Sequence, residues 1–229
     1  MVVQKRFNMI YIGIDFSLNS PGVCVKKESG EYQFITFFNY GNRIWGEKSL
    51  KAFEIHEHLI NSKIIGGIPY NRAIDSNDFI QRERQKIEDA DSISNLIVSI
   101  LTLTAHDSFS EKSNVKICLE GFSYGSKGNS FIDIILYNSL LRKKLKDSFG
   151  LENIYIYQPS AVKKLAGKGN ANKHYMIDAF QKNVLDDKDL ANSSFWQWCQ
   201  GKDYSKSIPK PIDDLIDSYF ILQSGLKDT

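Results

Sequence analysis

The chain has 229 residues, 42% of them hydrophobic and 12% aromatic, with a formal net charge of +2. That length buries a substantial core, and the near-neutral balance excludes a polybasic or polyacidic protein whose partner could be read from bulk charge. Lys5, Arg6 and Asn8 interrupt the apolar residues at the N-terminus, which argues against a signal peptide, and no apolar run reaches the length of a membrane span. The cysteines Cys24, Cys118 and Cys199 are far apart and odd in number, so a reducing compartment, the cytoplasm, is expected.

Residues 9–15 read as a buried first strand that ends on one carboxylate, Asp15. The turn Leu18-Asn19-Ser20-Pro21-Gly22 follows, then a return strand over 22–27 and a third strand over 32–38 rich in aromatic and β-branched residues. Short links make these three an antiparallel meander. A helix is predicted over 50–60, and Gly66-Gly67-Ile68-Pro69-Tyr70 reads as irregular. Ser76 or Asn77 can cap a long helix reaching about Ala105, with Ile87, Ala90, Ile93, Ile97, Ile100, Leu101 and Thr104 at helical spacing. Its first turns, 81–86, are polar all round and should project into solvent.

A strand over 115–119 ends on Glu120. A helix over 130–148 should turn Phe131, Ile134, Ile135, Leu141 and Leu145 inward, and 154–157 is the fifth strand. Helices over 160–166 and 172–185 come next. Residues 186–209 are polar and irregular apart from Phe195-Trp196-Gln197-Trp198, and a last helix starts near Pro211, since proline suits the first helical position. The predicted fold class is α/β: a five-stranded mixed sheet, its first three strands antiparallel, flanked by helices on both faces.

Two strands thus end on acids, Asp15 and Glu120, and the last helix adds Asp213, Asp214 and Asp217. Asp214 and Asp217 are i,i+3 neighbours and Asp213 and Asp217 are i,i+4 neighbours, so either pair shares a face where like charges repel. The helix dipole alone accounts for Asp213 and Asp214 in the first turn, but less well for Asp217 or the strand-end acids. Oxygen ligands from distant segments, without a histidine or cysteine cluster, suit Mg²⁺ or Mn²⁺. His56-Glu57-His58 is not read as a zinc site, because i and i+2 point apart on a helix.

Between Glu152 and Asp178 there is no acid, yet Lys163, Lys164, Lys168, Lys173 and His174 lie there. A short lysine-bearing helix, a glycine-rich turn and a second helix N-terminus can present ammonium and N–H groups to phosphates. Arg142, Lys143, Lys144 and Lys146 read as a solvated face.

Taken in order, these stretches resemble the RuvC family of Holliday-junction resolvases, within the RNase H-like nucleases. Ile12-Gly13-Ile14-Asp15-Phe16-Ser17-Leu18-Asn19-Ser20-Pro21-Gly22 is similar to the family's first-strand motif, and Ile117-Cys118-Leu119-Glu120-Gly121-Phe122 to its strand ending in the catalytic Glu. Pro159-Ser160-Ala161-Val162-Lys163-Lys164 with Gly167-Lys168-Gly169-Asn170-Ala171-Asn172-Lys173 looks like its lysine-bearing loop, and Asp214-Leu215-Ile216-Asp217-Ser218 like its closing acidic helix. The segment after Glu120 looks closer to phage-encoded relatives, which would place the protein in the cytoplasm of a bacterial host.

The resemblance implies one nuclease domain over 1–229, with insertions at about 41–85 and 186–209. It implies two Mg²⁺ ions, replaceable by Mn²⁺, on Asp15, Glu120, Asp214 and Asp217, with Lys173 as a further catalytic residue. Lys163, Lys164, Lys168, Lys173, Phe122 and Tyr124 would contact DNA, although an aromatic after a core strand is as often packing, and a homodimer would make paired cuts across a four-way junction in DNA recombination and repair. The competing readings are a nuclease of the same fold acting on other branched, flapped or hybrid nucleic acid, a catalytically inactive DNA-binding module, and a two-lobed phosphotransferase. This chain is too short for the two lobes of the last.

Overall fold

A computed structural model describes residues 9–39, 47–70, 77–107, 114–122 and 129–228. Tyr124 and the Ser76 cap candidate lie outside these residues. The strands are β1 (Ile10–Asp15), β2 (Gly22–Lys27), β3 (Tyr32–Asn39), β4 (Gly66–Tyr70), β5 (Val115–Glu120) and β6 (Ile154–Tyr157). They form one mixed sheet in the order β4-β3-β2-β1-β5-β6. As expected, β1, β2 and β3 pair antiparallel; β1–β5, β5–β6 and β3–β4 are parallel.

The sheet therefore has six strands, not five. The added strand is Gly-Gly-Ile-Pro-Tyr, the segment read as irregular. It lies at the sheet edge, where Pro69 can be accommodated because one side of the backbone needs no ladder partner. The helices are α1 (Glu47–Asn61), α2 (Phe79–Asp107), α3 (Asn129–Phe149), α4 (Pro159–Lys164), α5 (Lys173–Asp186), α6 (Lys188–Ala191), α7 (Ser194–Cys199) and α8 (Ile212–Lys227). No helix among the described residues is long and apolar enough to cross a membrane.

The central strands β1 and β5 are buried on both faces, as parallel strands in α/β sheets usually are. On one face Ile10, Ile12 and Ile14 join Ala90, Ile93, Ile97 and Leu101 of α2 and Tyr137, Leu141 and Leu145 of α3 in one apolar cluster. Ile87, expected inward, is instead more than half exposed. Asp78 is the cap that starts α2, its Oδ1 accepting from the Gln81 N–H.

On the other face α8 lies directly on the sheet. A Cβ on Gly13 would come within 2.1 Å of the Ser218 carbonyl oxygen, and one on Gly22 within 2.6 Å of the Asp214 carbonyl oxygen. These two glycines let the acidic helix approach the strands. Residues 186–209, read as irregular, contain α6 and α7. Each is started by a side-chain cap: Asp187 accepts from the Asp189 and Leu190 N–H groups, and Ser193 from the Trp196 N–H. Phe195 packs under them, 4.4 Å from Phe34 and 6.0 Å from Phe180 between ring centroids.

Candidate active site

Register brings the strand-end acids together. Ile14 of β1 lies opposite Leu119 of the parallel β5, so Asp15 and Glu120 leave the same end of neighbouring strands. The C-terminal ends of parallel strands are where α/β sheets place their ligands. Helix α8 crosses this end with Asp213 and Asp214 buried in its first turn and Asp217 one turn later.

The charges are felt mutually. The Asp15 carboxyl is held well above its usual pKa, first by burial, then by the negative charges of Asp214 and Asp217, with Lys210 opposing and Glu120 adding a little more. Burial followed by Asp214, Asp213 and Glu120 pushes Asp217 to about 7, against the pull of Lys173. Asp214 is pushed to about 6, chiefly by burial, while Lys210 draws it down. Burial also raises Glu120, and the Lys163 ammonium partly offsets it.

Two lysines tie down the helix acids. Lys173 forms an ion pair with Oδ2 of Asp213, and Lys210 one with Oδ1 of Asp214 while lying 3.6 Å from Asp213 Oδ2. The second oxygen of Asp214 accepts from the Ser20 hydroxyl at 2.5 Å. Ser20 is set by its turn, its N–H donating to Ser17 Oγ at 3.0 Å, and the edge strand helps: the Tyr70 hydroxyl donates to the Leu18 carbonyl at 2.5 Å. Asp213 Oδ1 is buried and accepts no hydrogen bond.

A pocket of about 200 Å³ opens beside the strand ends, lined by Asp15, Glu120, Phe122, Asn138 and Lys163 among others. Phe122 carries the Arg142 guanidinium over its ring at 4.4 Å and meets Phe131 edge-on at 6.5 Å. Arg142 also donates to the Glu120 carbonyl at 2.9 Å. It buttresses the site and so does not belong to the solvated face expected for it. Lys143 and Lys146 are exposed as expected, Lys143 pairing with Asp147, whereas Lys144 is half-buried and bridges to Asp91 of α2. Lys164 and Lys168 are exposed, Lys168 lying 3.6 Å above the Tyr175 ring on the outer side of α5.

Sequence reasoning missed Lys210, Ser20 and Arg142. Only Lys210 had a local signal, its i,i+4 spacing to Asp214. His56 and His58 face different neighbours, His56 beside Thr36 and His58 beside Trp198.

Among the described residues no three His, Cys, Asp or Glu side chains converge tightly enough, as they stand, to hold a metal ion. The chemistry of the donors nevertheless fits a hard cation. They are carboxylate oxygens, they repel one another in a buried setting, and one buried oxygen of Asp213 lacks a partner.

The fold and site define an α/β protein with a mixed six-stranded sheet flanked by helices and an acidic cluster at the ends of its central strands. No family model and no curated protein matches the chain. Among solved structures it is similar to the RuvC structure of Thermus thermophilus, at 12% identity and a TM-score of 0.48, covering 96% of this chain and 97% of that one.

Proposed function

We propose that the chain is a divalent-metal-dependent, structure-specific endodeoxyribonuclease that cuts four-way and other branched DNA, built as one RuvC-like nuclease domain over residues 1–229. The observation that carries this reading is electrostatic: the Asp15 carboxyl feels the negative charges of Glu120, Asp214 and Asp217 together, although the four come from two strands and a helix. Buried like charges gathered from distant segments work against folding unless a cation or proton neutralises them. Asp15, Glu120, Asp214 and Asp217 would hold two Mg²⁺ ions, with Mn²⁺ able to substitute. Such ions supply an acidified water and charge neutralisation at a departing phosphate oxygen.

The remaining work falls to the chain itself. Lys163 borders the pocket beside Glu120, and it would meet the non-bridging oxygens of a backbone phosphate. Lys173 stands at the first turn of α5, where exposed N–H groups already favour an anion, and its pairing with Asp213 keeps the ammonium beside the acids. It stabilises charge that develops at the scissile phosphate. Exposed Lys164 and Lys168 bind flanking phosphates. Phe122 is packed against both Arg142 and Phe131, and its position just after Glu120 would bring it beside an unstacked base. Tyr124 is assigned the same role from its position in the motif. A homodimer would match the two-fold symmetry of a four-way junction.

Cleavage of end-labelled four-way junctions, flaps, forks and RNA–DNA hybrids with Mg²⁺ tests the reading. Four-way or forked DNA should be cut and Asp15→Asn should stop it. Cleavage confined to flaps or to the hybrid would favour the other nuclease reading. Tight junction binding without cleavage by the unaltered chain would favour the binding module.

A further inference from the structure

Lys210 lies in the segment between two prolines just before α8, and its ammonium sits among the acids. It is paired with Asp214, 3.6 Å from Asp213, and close enough to Asp15 to lower that carboxyl's proton affinity. Asp214 has both oxygens engaged, one by Lys210 and one by Ser20. A divalent ion binding Asp214 would therefore compete with the Lys210 ammonium for the same carboxylate.

The two ends of this ion pair differ in exposure. The Asp213 and Asp214 side chains are 3% and 5% exposed and fixed to the buried side of a helix, whereas the Lys210 side chain is 40% exposed. A lysine stem has several rotatable bonds and a strongly hydrated head, so the ammonium can leave toward water while the carboxylates cannot.

We propose that Lys210 is the resident counter-ion of the acidic site and that a divalent cation replaces it on Asp214, the ammonium swinging outward. The proposal rests on the metal-site reading above. Lys210 neutralises Asp214 during folding without a metal, and it sets the affinity that an ion must exceed to enter. After exchange its charge faces the mouth of the site, where a DNA phosphate would arrive.

The test is titration with Mn²⁺ alone, by calorimetry, on the wild-type chain and on Lys210→Met and Lys210→Arg. With the competitor removed, Lys210→Met should bind Mn²⁺ about tenfold or more tightly, and Lys210→Arg should bind no more tightly than wild type. Thermal melts should show Lys210→Met less stable than wild type without metal, with the gap closing at saturating Mn²⁺. Unchanged or weaker Mn²⁺ binding by Lys210→Met, or an equal loss of stability with and without the ion, overturns the exchange while leaving the metal site standing. Absence of Mn²⁺ binding by both wild type and Lys210→Met overturns both. If Lys210→Met does not fold, reductive methylation of the wild-type chain read by peptide mass spectrometry decides: Lys210 should label several-fold faster with Mn²⁺, and an unchanged rate overturns the exchange.

Discussion

The two faces of the sheet are built on different principles. The face under α2 and α3 is almost purely apolar, with Ile12, Ile97, Leu101, Ile117, Leu141 and Leu145 fully buried around one another. The face under α8 also has a core, in which Phe180, Phe195, Tyr219 and Phe220 meet. At one end of that face, however, Asp213 and Asp214 are buried and Asp15, Glu120 and Asp217 half-buried. One face supplies stability, and the other gives up part of it to hold a charge cluster in place. Such a division seats the chemistry on the packed scaffold, since glycines at 13 and 22 let α8 lie directly against β1 and β2.

The sharpest way to break this contrast is to remove charge on one face and volume on the other. Asp15→Asn and Glu120→Gln should abolish single-turnover cleavage, a loss of at least about a thousandfold if electrostatic and metal terms act together. Junction binding, measured by gel shift, should be unchanged or tighter. Leu101→Ala should do the reverse. It should lower unfolding free energy in urea by about 2–5 kcal/mol and leave the cleavage rate of the folded fraction near wild type. A cleavage loss in Leu101→Ala at full folding would mean the faces are not separable.

A second comparison lies within the charged face. Lys173→Ala should slow single-turnover cleavage by roughly a hundredfold, with junction affinity at fixed salt changing only a few-fold. If Lys173 were only part of a basic surface, the change would instead be a weaker, less salt-dependent affinity. Asp213→Asn should be milder than Asp214→Asn in the same assay, because Asp213 acts by holding Lys173.

The acids also predict a pH signature of opposite sign to ordinary acid denaturation. Asp214 and Asp217 have folded-state pKa values raised to about 6 and about 7, and Asp15 is raised too, above an unfolded value near 3.8. Their contribution is fully present below the unfolded pKa and is lost as pH rises through 6 to 7. Without divalent ions the melting temperature should therefore fall between pH 5 and pH 8 by roughly a few degrees. Mg²⁺ should restore it at pH 8 and do little at pH 5, where protons must first be displaced. A metal-free melting temperature that climbs from pH 5 to pH 8 would contradict this.

How much of this was legible in the sequence follows the same division. The strands, the long helices and the strand-end acids were readable because apolar periodicity and a terminal carboxylate are local signals. The edge strand β4 was not, since Gly-Gly-Ile-Pro-Tyr opposes strand propensity and is held by pairing with β3. Helices α6 and α7 are too short for periodicity, although their Asp187 and Ser193 caps were visible in principle. Within the cluster, the acids and Lys173 were named from the sequence, but the pairings between segments were not. Lys173 meets Asp213 across 40 positions, Ser20 meets Asp214 across 194, and Arg142 reaches Glu120 across 22. Such pairings exist only once the sheet has brought the segments together. Lys210 had its i,i+4 spacing to Asp214 as a signal, but it lies between prolines in a stretch that reads as a connector.

The central claim is that Asp15, Glu120, Asp214 and Asp217 form one divalent-cation site. The direct measurement is anomalous scattering from a crystal soaked in Mn²⁺. Two peaks about 3.5–4 Å apart, each within ligating distance of these carboxylates, are the predicted result. Density for Mn²⁺ elsewhere, or none beside these carboxylates at saturating metal, would contradict it.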